Sequence, residues 1–445
     1  MQPGVSMEHI SRIEDGSPSP SPYLSDAIPA RHSRLINVFL VLTILSSSVV
    51  MVEPSAYEVG VLIVAILCAR LGVIVPRAIQ PLIGMMLVWF LASCLALLPV
   101  LHDSKAVTYF VITAYLQVSA VLFAWLIGSE TERRLELLRT AYIATALVAA
   151  ALGIAGYFKV LSPDILLENG RARALFKDPN VFAPFLILPI LFLLQAVLYR
   201  GLRLKHVAAV SLLATALFLS FSRGAWVHFA LSAAVMLWLA FITAENLRFR
   251  ARLLTFGLIA CLATGSLVVG LLSLGSVEDM FNQRASLAQS YDVGESGRFG
   301  RQTRSLDSVI EHPNGLGPGQ FGKFFGQDPH NVYINAFVSY GWMGGFAFLT
   351  LAGTTLLMGF RAVLVPTAWQ HSFMAVYATY VGLVLEGLIV DTDHWRHLFL
   401  LIGLIWGLLA ATSQHPLRIG AARRAIRRDN PGRAHPVQQP TSGQI

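Results

Sequence analysis

The chain has 445 residues and a formal net charge of +8; only 13% of its residues are charged and 55% are hydrophobic. A soluble domain carries roughly 25% charged residues, so this composition excludes an ordinary water-soluble protein. The apolar residues come in blocks of about 18–25, the length that spans a bilayer core of about 30 Å. Because backbone groups in lipid must be satisfied within the protein, we expect these blocks to be helices.

We therefore predict an all-α polytopic membrane protein with about twelve transmembrane helices. The predicted spans, in chain order, are residues 35–52, 56–75, 79–101, 106–127, 138–160, 179–199, 205–221, 224–243, 253–274, 331–360, 371–390 and 397–412. A long extramembrane loop, about 275–330, separates the ninth span from the tenth. The polar residues 1–34 predict a disordered tail, residues 35–412 the transmembrane domain, and residues 413–445 a basic tail.

The positions of Lys and Arg decide the expected orientation. If the N-terminus is cytoplasmic, most basic residues of the tails and short connections fall on the cytoplasmic side, for example Arg133, Arg134 and Arg139. This bias predicts that both termini are cytoplasmic. The net charge is then mainly a topology signal, and the basic C-terminal tail has no aromatic interleaving that would indicate nucleic-acid binding.

In this topology the unusual polar segments share the outer face, and the first of them is Asp178-Pro179-Asn180. Asp is a good N-cap and Pro is favoured at the first helical position, which predicts a helix start. Helix N-termini suit phosphate groups, and Arg171 and Arg173 lie just before this one. The segment is either a diphosphate site, in which Arg gives bidentate contacts, or a solvated loop before a helix.

Arg223 lies between two apolar runs, in Ser222-Arg223-Gly224. A charged side chain there cannot face lipid cheaply, so we expect it to point into a polar cavity or to contact a partner. The alternative is an arginine whose stem lies along apolar surface while its charge reaches the membrane interface.

The long loop contains a pattern typical of an amphipathic helix, roughly from Gly297 to Glu311. Its mainly apolar stripe consists of Phe299, Thr303, Leu306 and Ile310. Its basic face, on the opposite side, consists of Arg298, Arg301 and Arg304. Such a helix lies on a membrane or covers a cavity, unless its basic face is merely solvated.

Four glycines, Gly315, Gly317, Gly319 and Gly322, fall within eight residues. They predict a backbone that turns tightly or approaches another group closely. The segment lacks the pattern of a nucleotide-binding loop and is not in a βαβ context.

The last polar segment is Asp328-Pro329-His330-Asn331. Asp328 and Pro329 again predict an N-cap and a first helical residue, which would place His330 in the first turn. A helix N-terminus disfavours the imidazolium form, and a neutral histidine at the membrane surface is a candidate general base. A surface histidine without such a role is the alternative.

An ordered series of motifs resembles the O-antigen ligase and polymerase superfamily, integral membrane glycosyltransferases that use polyprenyl-diphosphate-linked glycans. The series consists of Pro54-Ser-Ala-Tyr57-Glu58, Phe176-Lys-Asp178-Pro179-Asn180, Ser222-Arg223-Gly224, Arg298 with Arg301, His312-Pro313-Asn-Gly315-Leu-Gly317-Pro-Gly319-Gln-Phe321, His330-Asn331-Val-Tyr333 and Tyr340-Gly341-Trp-Met-Gly344. One position departs from the family: Tyr340 stands where many members have an acidic residue.

The resemblance implies an inverting, metal-independent glycosyl transfer that needs no cofactor. His330 would deprotonate an acceptor hydroxyl, which attacks a glycan linked to undecaprenyl diphosphate. The leaving diphosphate would be held by Arg223 with Arg298 or Arg301, and Arg171 and Arg173 are second choices. Fixed guanidinium groups stabilise the charge that develops on such a leaving group.

The supporting residues expected from the same motifs are Asn331, Asp178, Asn180, Gly317 and Gly319. The implied location is the bacterial inner membrane, with the active site facing the periplasm. The implied partners are the undecaprenyl-diphosphate-linked glycan, the bilayer and, as acceptor, lipid A-core or a second lipid-linked glycan.

The resemblance favours an O-antigen ligase, and a polysaccharide polymerase of the same superfamily is the alternative; the two differ in the acceptor and not in the leaving group. A transporter of lipid-linked glycans is the alternative of another class. It predicts charged residues inside helices and internal repeats, whereas Glu386 is the main charged residue within the spans. Asp391 and Asp393 either take part in the chemistry or pair with Arg396.

Overall fold

The computed structural model describes residues 30–52, 54–70, 75–285 and 297–429. Residues 1–29 and 430–445 of the predicted tails, and residues 286–296 of the predicted loop, lie outside these ranges. The helices are α1 Ala30–Leu45, α2 Ala56–Ala69, α3 Gln80–Leu97, α4 Ser104–Ser129, α5 Thr131–Tyr157, α6 Pro163–Leu166, α7 Pro179–Arg200, α8 Leu204–Leu219, α9 Arg223–Thr243, α10 Leu247–Leu272, α11 Gly275–Ala285, α12 Arg298–Glu311, α13 Phe321–Phe325, α14 Val332–Val363, α15 Gln370–Glu386 and α16 Arg396–Asp429.

A helix lies at each predicted span, and the described residues form a mainly helical chain with almost no sheet, which fits an all-α polytopic membrane fold. Within the described ranges, eight helical segments are long and apolar enough to cross a membrane, and α2 and α8 are apolar but shorter. The number of about twelve crossings stays a prediction. The main helix pairs are α4 with α16, α9 with α15, and α3 with α14.

A small hairpin, absent from the sequence prediction, precedes α7. Its strands are β1 Leu167–Glu168 and β2 Arg171–Ala172, and Glu168 pairs with Arg171. The two residues between the strands, Asn169 and Gly170, have φ values of 50° and 74°. Asn-Gly is the preferred sequence for such a turn, because both positions need positive φ. The hairpin fixes the position of Arg171.

The amphipathic helix predicted near Gly297–Glu311 is confirmed as α12, which packs on α14. Among its described side chains Ser305 and Ser308 are buried, whereas the Leu306 and Ile310 side chains are 52% and 72% exposed. The part of the apolar stripe formed by Leu306 and Ile310 therefore faces away from the protein, where a membrane surface would accept it.

The glycine-rich segment packs against a break in α14. Gly341 has a φ of 67° inside that helix, and a Cβ on Gly315 would lie 2.5 Å from the Gly341 nitrogen. The Leu316 N–H donates to the Val338 carbonyl at 2.7 Å, and the Trp342 N–H donates to the Pro313 carbonyl at 2.9 Å. The segment thus satisfies backbone groups that the break leaves outside the helical pattern.

Candidate functional site

His330 lies in a sharp turn immediately before α14, with a φ of 52°. The backbone N–H groups of His330 and Asn331 donate to Oδ2 and Oδ1 of Asp391, each at 2.9 Å. The ring Nδ1 of His330 is 3.7 Å from Asp391 Oδ2, and the His330 side chain is 38% exposed. One carboxylate therefore holds the backbone of the turn and faces one ring nitrogen.

The predicted N-cap at Asp328 is wrong. Helix α14 begins at Val332, and its N-cap is Asn331, whose side-chain oxygen accepts from the Tyr333 and Ile334 N–H groups at 3.1 Å each. Asp328 instead accepts a backbone hydrogen bond from Gly322. His330 therefore precedes the helix instead of lying in its first turn, so its environment is set by Asp391 and not by its position within a helix.

Two further side chains hold the turn: Asn331, which the motifs gave as a supporting residue, and Gln302, for which local sequence patterns gave no signal. Gln302 of α12 donates to the carbonyls of His330 and Leu388, at 3.2 and 3.3 Å. The Asn331 amide also donates to the Leu388 carbonyl, at 3.1 Å. Helix α12, the start of α14 and the turn formed by residues 387–391 thus meet at His330.

Asp391 is 17% exposed and belongs to an acidic group with Asp328 and Asp393. Burial raises the pKa of Asp391 well above its usual range, and the Asp393 and Asp328 carboxylates raise it further. The two backbone N–H donors act in the opposite direction. The pKa of Asp328 is also raised, mainly because the side chain is partly buried and to a smaller extent because of the Asp393 charge.

Neither aspartate forms the alternative pairing with Arg396 that the sequence left open. Arg396 pairs with Glu58 at 2.5 Å and lies over the Tyr57 ring. Asp393 Oδ2 accepts from the Tyr109 hydroxyl at 2.7 Å and from the Asn335 amide at 3.2 Å. Asp393 thus joins α4 to α14 beneath the His330 turn.

A second group of polar residues surrounds the start of α9. Arg171 donates from Nε to the Ser220 carbonyl and from Nη2 to Asn180 Oδ1, both at 2.8 Å. Asp178 caps α7 as predicted, accepting from the Asn180 N–H at 2.7 Å. Arg223 is the first residue of α9, and Phe221 before it has a φ of 47°. Arg171 therefore joins the α7 N-terminus to the turn that presents Arg223.

The other predicted arginines have different surroundings. Arg173 donates to the carbonyls of Ile165, Lys177 and Asp164, which ties it to α6 and to the loop before α7. Arg301 lies in α12 directly before Gln302. Arg298 is the first residue of α12, and its side chain lies outside the described part of the structure.

Gly317 and Gly319 have packing roles. Their φ values are 105° and 64°, so they form tight turns as predicted. A Cβ would lie 2.6 Å from Val100 Cγ2 at Gly317 and 2.9 Å from Tyr109 Cδ2 at Gly319. These glycines let the loop backbone approach α4 and the segment before it.

The two groups of residues adjoin through α9 and α15. A Cβ on Gly224, next to Arg223, would lie 3.4 Å from Ile389 Cδ1, and Ile389 is two residues from Asp391.

Across the described residues, no three or more His, Cys, Asp or Glu side chains are grouped so as to hold a metal ion.

Residues 208–349 match the family model described as O-antigen ligase. This range runs from α8 into α14 and includes Arg223, Arg298, Arg301 and His330, whereas Arg171 and Asp391 lie outside it. No curated protein matches the chain.

Proposed function

We propose that the chain, whose residues 208–349 match the O-antigen ligase family model, transfers a glycan from undecaprenyl diphosphate to a hydroxyl of lipid A-core. The observation that carries this proposal is the His330 turn, held by Asp391 through two backbone hydrogen bonds beside the start of α9. Transfer from a lipid diphosphate needs a base, the role given to His330, and cationic groups for the leaving diphosphate, the role given to Arg223.

In the proposed reaction, His330 removes the acceptor proton through Nε2, because Nδ1 faces Asp391. The acceptor oxygen attacks the anomeric carbon from the face opposite the diphosphate. The new C–O bond forms as the bond to the diphosphate oxygen breaks, and that oxygen leaves with the electron pair. The configuration at the anomeric carbon is therefore inverted.

Arginines stabilise the leaving diphosphate in this proposal. Arg223 is the first choice because it begins α9, and Arg301 or Arg298 adds charge from α12. Arg171 supports Arg223 by holding the Ser220 carbonyl. Arg173 is the least suited of the five, because its guanidinium group donates to three backbone carbonyls, two in α6 and one before α7. No nucleotide, metal or cofactor takes part.

The proposed location is the bacterial inner membrane, with both termini cytoplasmic and His330 periplasmic. The direction of α4 supports this orientation. Its first end lies near Asp103, which accepts from Gln320 of the long loop, and its other end leads to Arg133 and Arg134. Basic residues thus lie at the membrane side opposite His330, as cytoplasmic connections require.

The test is transfer by the purified protein in proteoliposomes, with an undecaprenyl-diphosphate-linked glycan as donor. Lipid A-core and a second lipid-linked repeat unit are offered as separate acceptors, and product size and released lipid diphosphate are measured. We expect transfer to lipid A-core, which falls by about 10²–10⁴-fold in His330→Ala. His102→Ala, at an exposed histidine, is the matched control.

The alternatives give different products. Elongation of the second lipid-linked glycan, lost in His330→Ala, identifies a polymerase. Movement of the lipid-linked glycan across the bilayer without transfer, unchanged in His330→Ala, identifies a transporter and contradicts the proposal.

A further inference from the structure

A buried histidine–glutamate pair joins α9 to α15. Nδ1 of His228 lies 2.8 Å from Glu386 Oε2, and Nε2 lies 2.9 Å from the Thr379 carbonyl oxygen. The side chains of His228 and Glu386 are 0% and 1% exposed. Glu386 is the charged residue that the sequence showed within a span, and the structure gives it a partner.

The hydrogen-bond partners determine which atoms of this pair carry hydrogens. The Thr379 carbonyl only accepts, so Nε2 of His228 must carry a hydrogen. One more proton must lie between Nδ1 and Glu386 Oε2, on either atom. In both arrangements the pair has no net charge, which avoids the large cost of an isolated buried charge.

Small residues allow this contact. A Cβ on Gly382 of α15 would lie 2.2 Å from Cδ2 of His228, and a Cβ on Gly224 of α9 would lie 3.1 Å from Oε1 of Glu386. Glycines at a membrane helix interface let two backbones approach closely. The two helices are therefore close enough for side chains as short as these to meet.

The pair lies between the two halves of the candidate site. His228 follows Arg223 by five residues on α9, and Glu386 precedes Asp391 by five residues. The Glu386 carbonyl also accepts from the Ile389 and Val390 N–H groups, at 2.9 and 3.1 Å, and so shapes the turn that contains Asp391.

We propose that His228 and Glu386 are positioning residues that fix the start of α9, with Arg223, relative to the 387–391 turn that holds His330. The role rests on the proposed function, because it aligns the leaving-group cation with the base. A pair of apolar side chains would fill the same space without the cost of burying polar groups. It would not fix a direction between the two helices, whereas a hydrogen bond does.

The catalytic test uses the full-length protein in proteoliposomes. We expect Glu386→Ala and His228→Ala to lower kcat by about 10²-fold, the effect of a displacement of about 1 Å. Donor KM should change by less than about threefold, because Arg223 is still present. The double variant should be no slower than the slower single variant, since both remove one interaction.

Glu386→Gln is the conservative variant. Its amide N–H donates to Nδ1 of a neutral His228, whose Nε2 still donates to Thr379, so we expect kcat within about threefold of wild type. Thr355→Val is the matched control, since it removes the buried hydrogen bond from Trp406 of α16 and the contact with Tyr380 of α15 but leaves the His228–Glu386 pair intact. The proposal fails if Glu386→Ala matches Thr355→Val, or if Glu386→Gln is as slow as Glu386→Ala.

A measurement that needs no activity separates this proposal from the proposed function. Spin labels at Val227 and Leu388, both exposed, report the distance between the start of α9 and the turn after α15. Cys68, Cys94 and Cys261 are first replaced. The distance distribution should broaden in Glu386→Ala and stay narrow in Thr355→Val.

If the distance distribution broadens in Glu386→Ala but the wild type shows no transfer activity, the proposed function is overturned and the positioning role is retained. Unchanged distances and rates in Glu386→Ala, with an active wild type, would overturn only the positioning role.

Discussion

Two Asp-Pro segments of similar sequence begin two helices in different ways. Residues 178–180 are Asp-Pro-Asn and residues 328–331 are Asp-Pro-His-Asn. In the first segment the aspartate caps α7, and in the second the asparagine caps α14, three residues further on. Each segment contains two side chains capable of capping, so the local sequence alone does not choose between them.

Distant partners decide between the two caps. Asn180 is occupied by Arg171, which leaves Asp178 to cap α7. Asp328 is occupied by the Gly322 N–H, which leaves Asn331 to cap α14. The second arrangement puts His330 outside the helix, where Asp391 binds its backbone. An N-cap predicted from local sequence is therefore wrong where another part of the chain binds the capping side chain.

The largest effect is expected on the transfer rate, from a comparison of Asp391→Asn with Asp178→Asn. Asp391 binds the backbone of the second segment, and Asp178 caps the helix after the first. Asn at 391 accepts only one of the two N–H groups, and a buried unsatisfied donor costs about 1–3 kcal/mol. The resulting displacement of His330 should lower glycan transfer by about 10²-fold. Asn at 178 still caps α7, so transfer should fall by less than about threefold. Initial transfer rates in proteoliposomes measure both; equal losses would contradict the comparison.

An intermediate effect is expected on stability. Asn331→Ala removes the acceptor for the Tyr333 and Ile334 N–H groups and should lower the free energy of unfolding by about 1–2 kcal/mol. Asp328→Asn retains an acceptor for the Gly322 N–H and should change it by less than about 0.5 kcal/mol. Thermal unfolding in detergent compares the two variants. A larger loss in Asp328→Asn would restore Asp328 as the cap.

The smallest effect is a shift in pH dependence. The Asp328 charge helps to raise the pKa of Asp391, so Asp328→Asn should lower that pKa. Transfer that needs the Asp391 carboxylate declines as pH falls through its pKa, and this acid limb should move to lower pH. A pH–rate profile of both proteins measures the shift; an unchanged limb, or one at higher pH, would remove Asp391 from the reaction.

The free energy of unfolding should depend on pH in the direction opposite to that of the transfer rate. The pKa of Asp391 is raised in the folded protein, so its contribution to stability is present at low pH and is lost as pH rises through that value. In Asp328→Asn the loss should be smaller. Thermal unfolding across the same pH range provides this second readout.

Local patterns predicted the elements well. The apolar blocks gave the helices, Asp-Pro gave the start of α7, and the glycines gave turns with positive φ at Gly317 and Gly319. These features depend on neighbours within a few residues. Asn169-Gly170 was a readable turn signal as well, and it would have placed Arg171 on a hairpin.

The assembly of the site was not predictable in this way. Asp391 contacts a backbone segment 60 residues earlier in the chain, and Gln302 contacts one 28 residues later. No local pattern encodes which carboxylate reaches which N–H group. The sequence therefore identified His330 as a candidate but could not identify the groups that hold it.

The break at Gly341 changes what determines the position of His330, at the start of α14, relative to the rest of that helix. Leu316 is bonded to the half of α14 before the break, and Pro313 to the half after it. The angle between the two halves is therefore set by a loop segment that bridges them, since a continuous helical ladder is missing there. In the proposed function, the depth at which a lipid-linked substrate would meet His330 then depends on the backbone of residues 313–316, whose side chains need never touch that substrate.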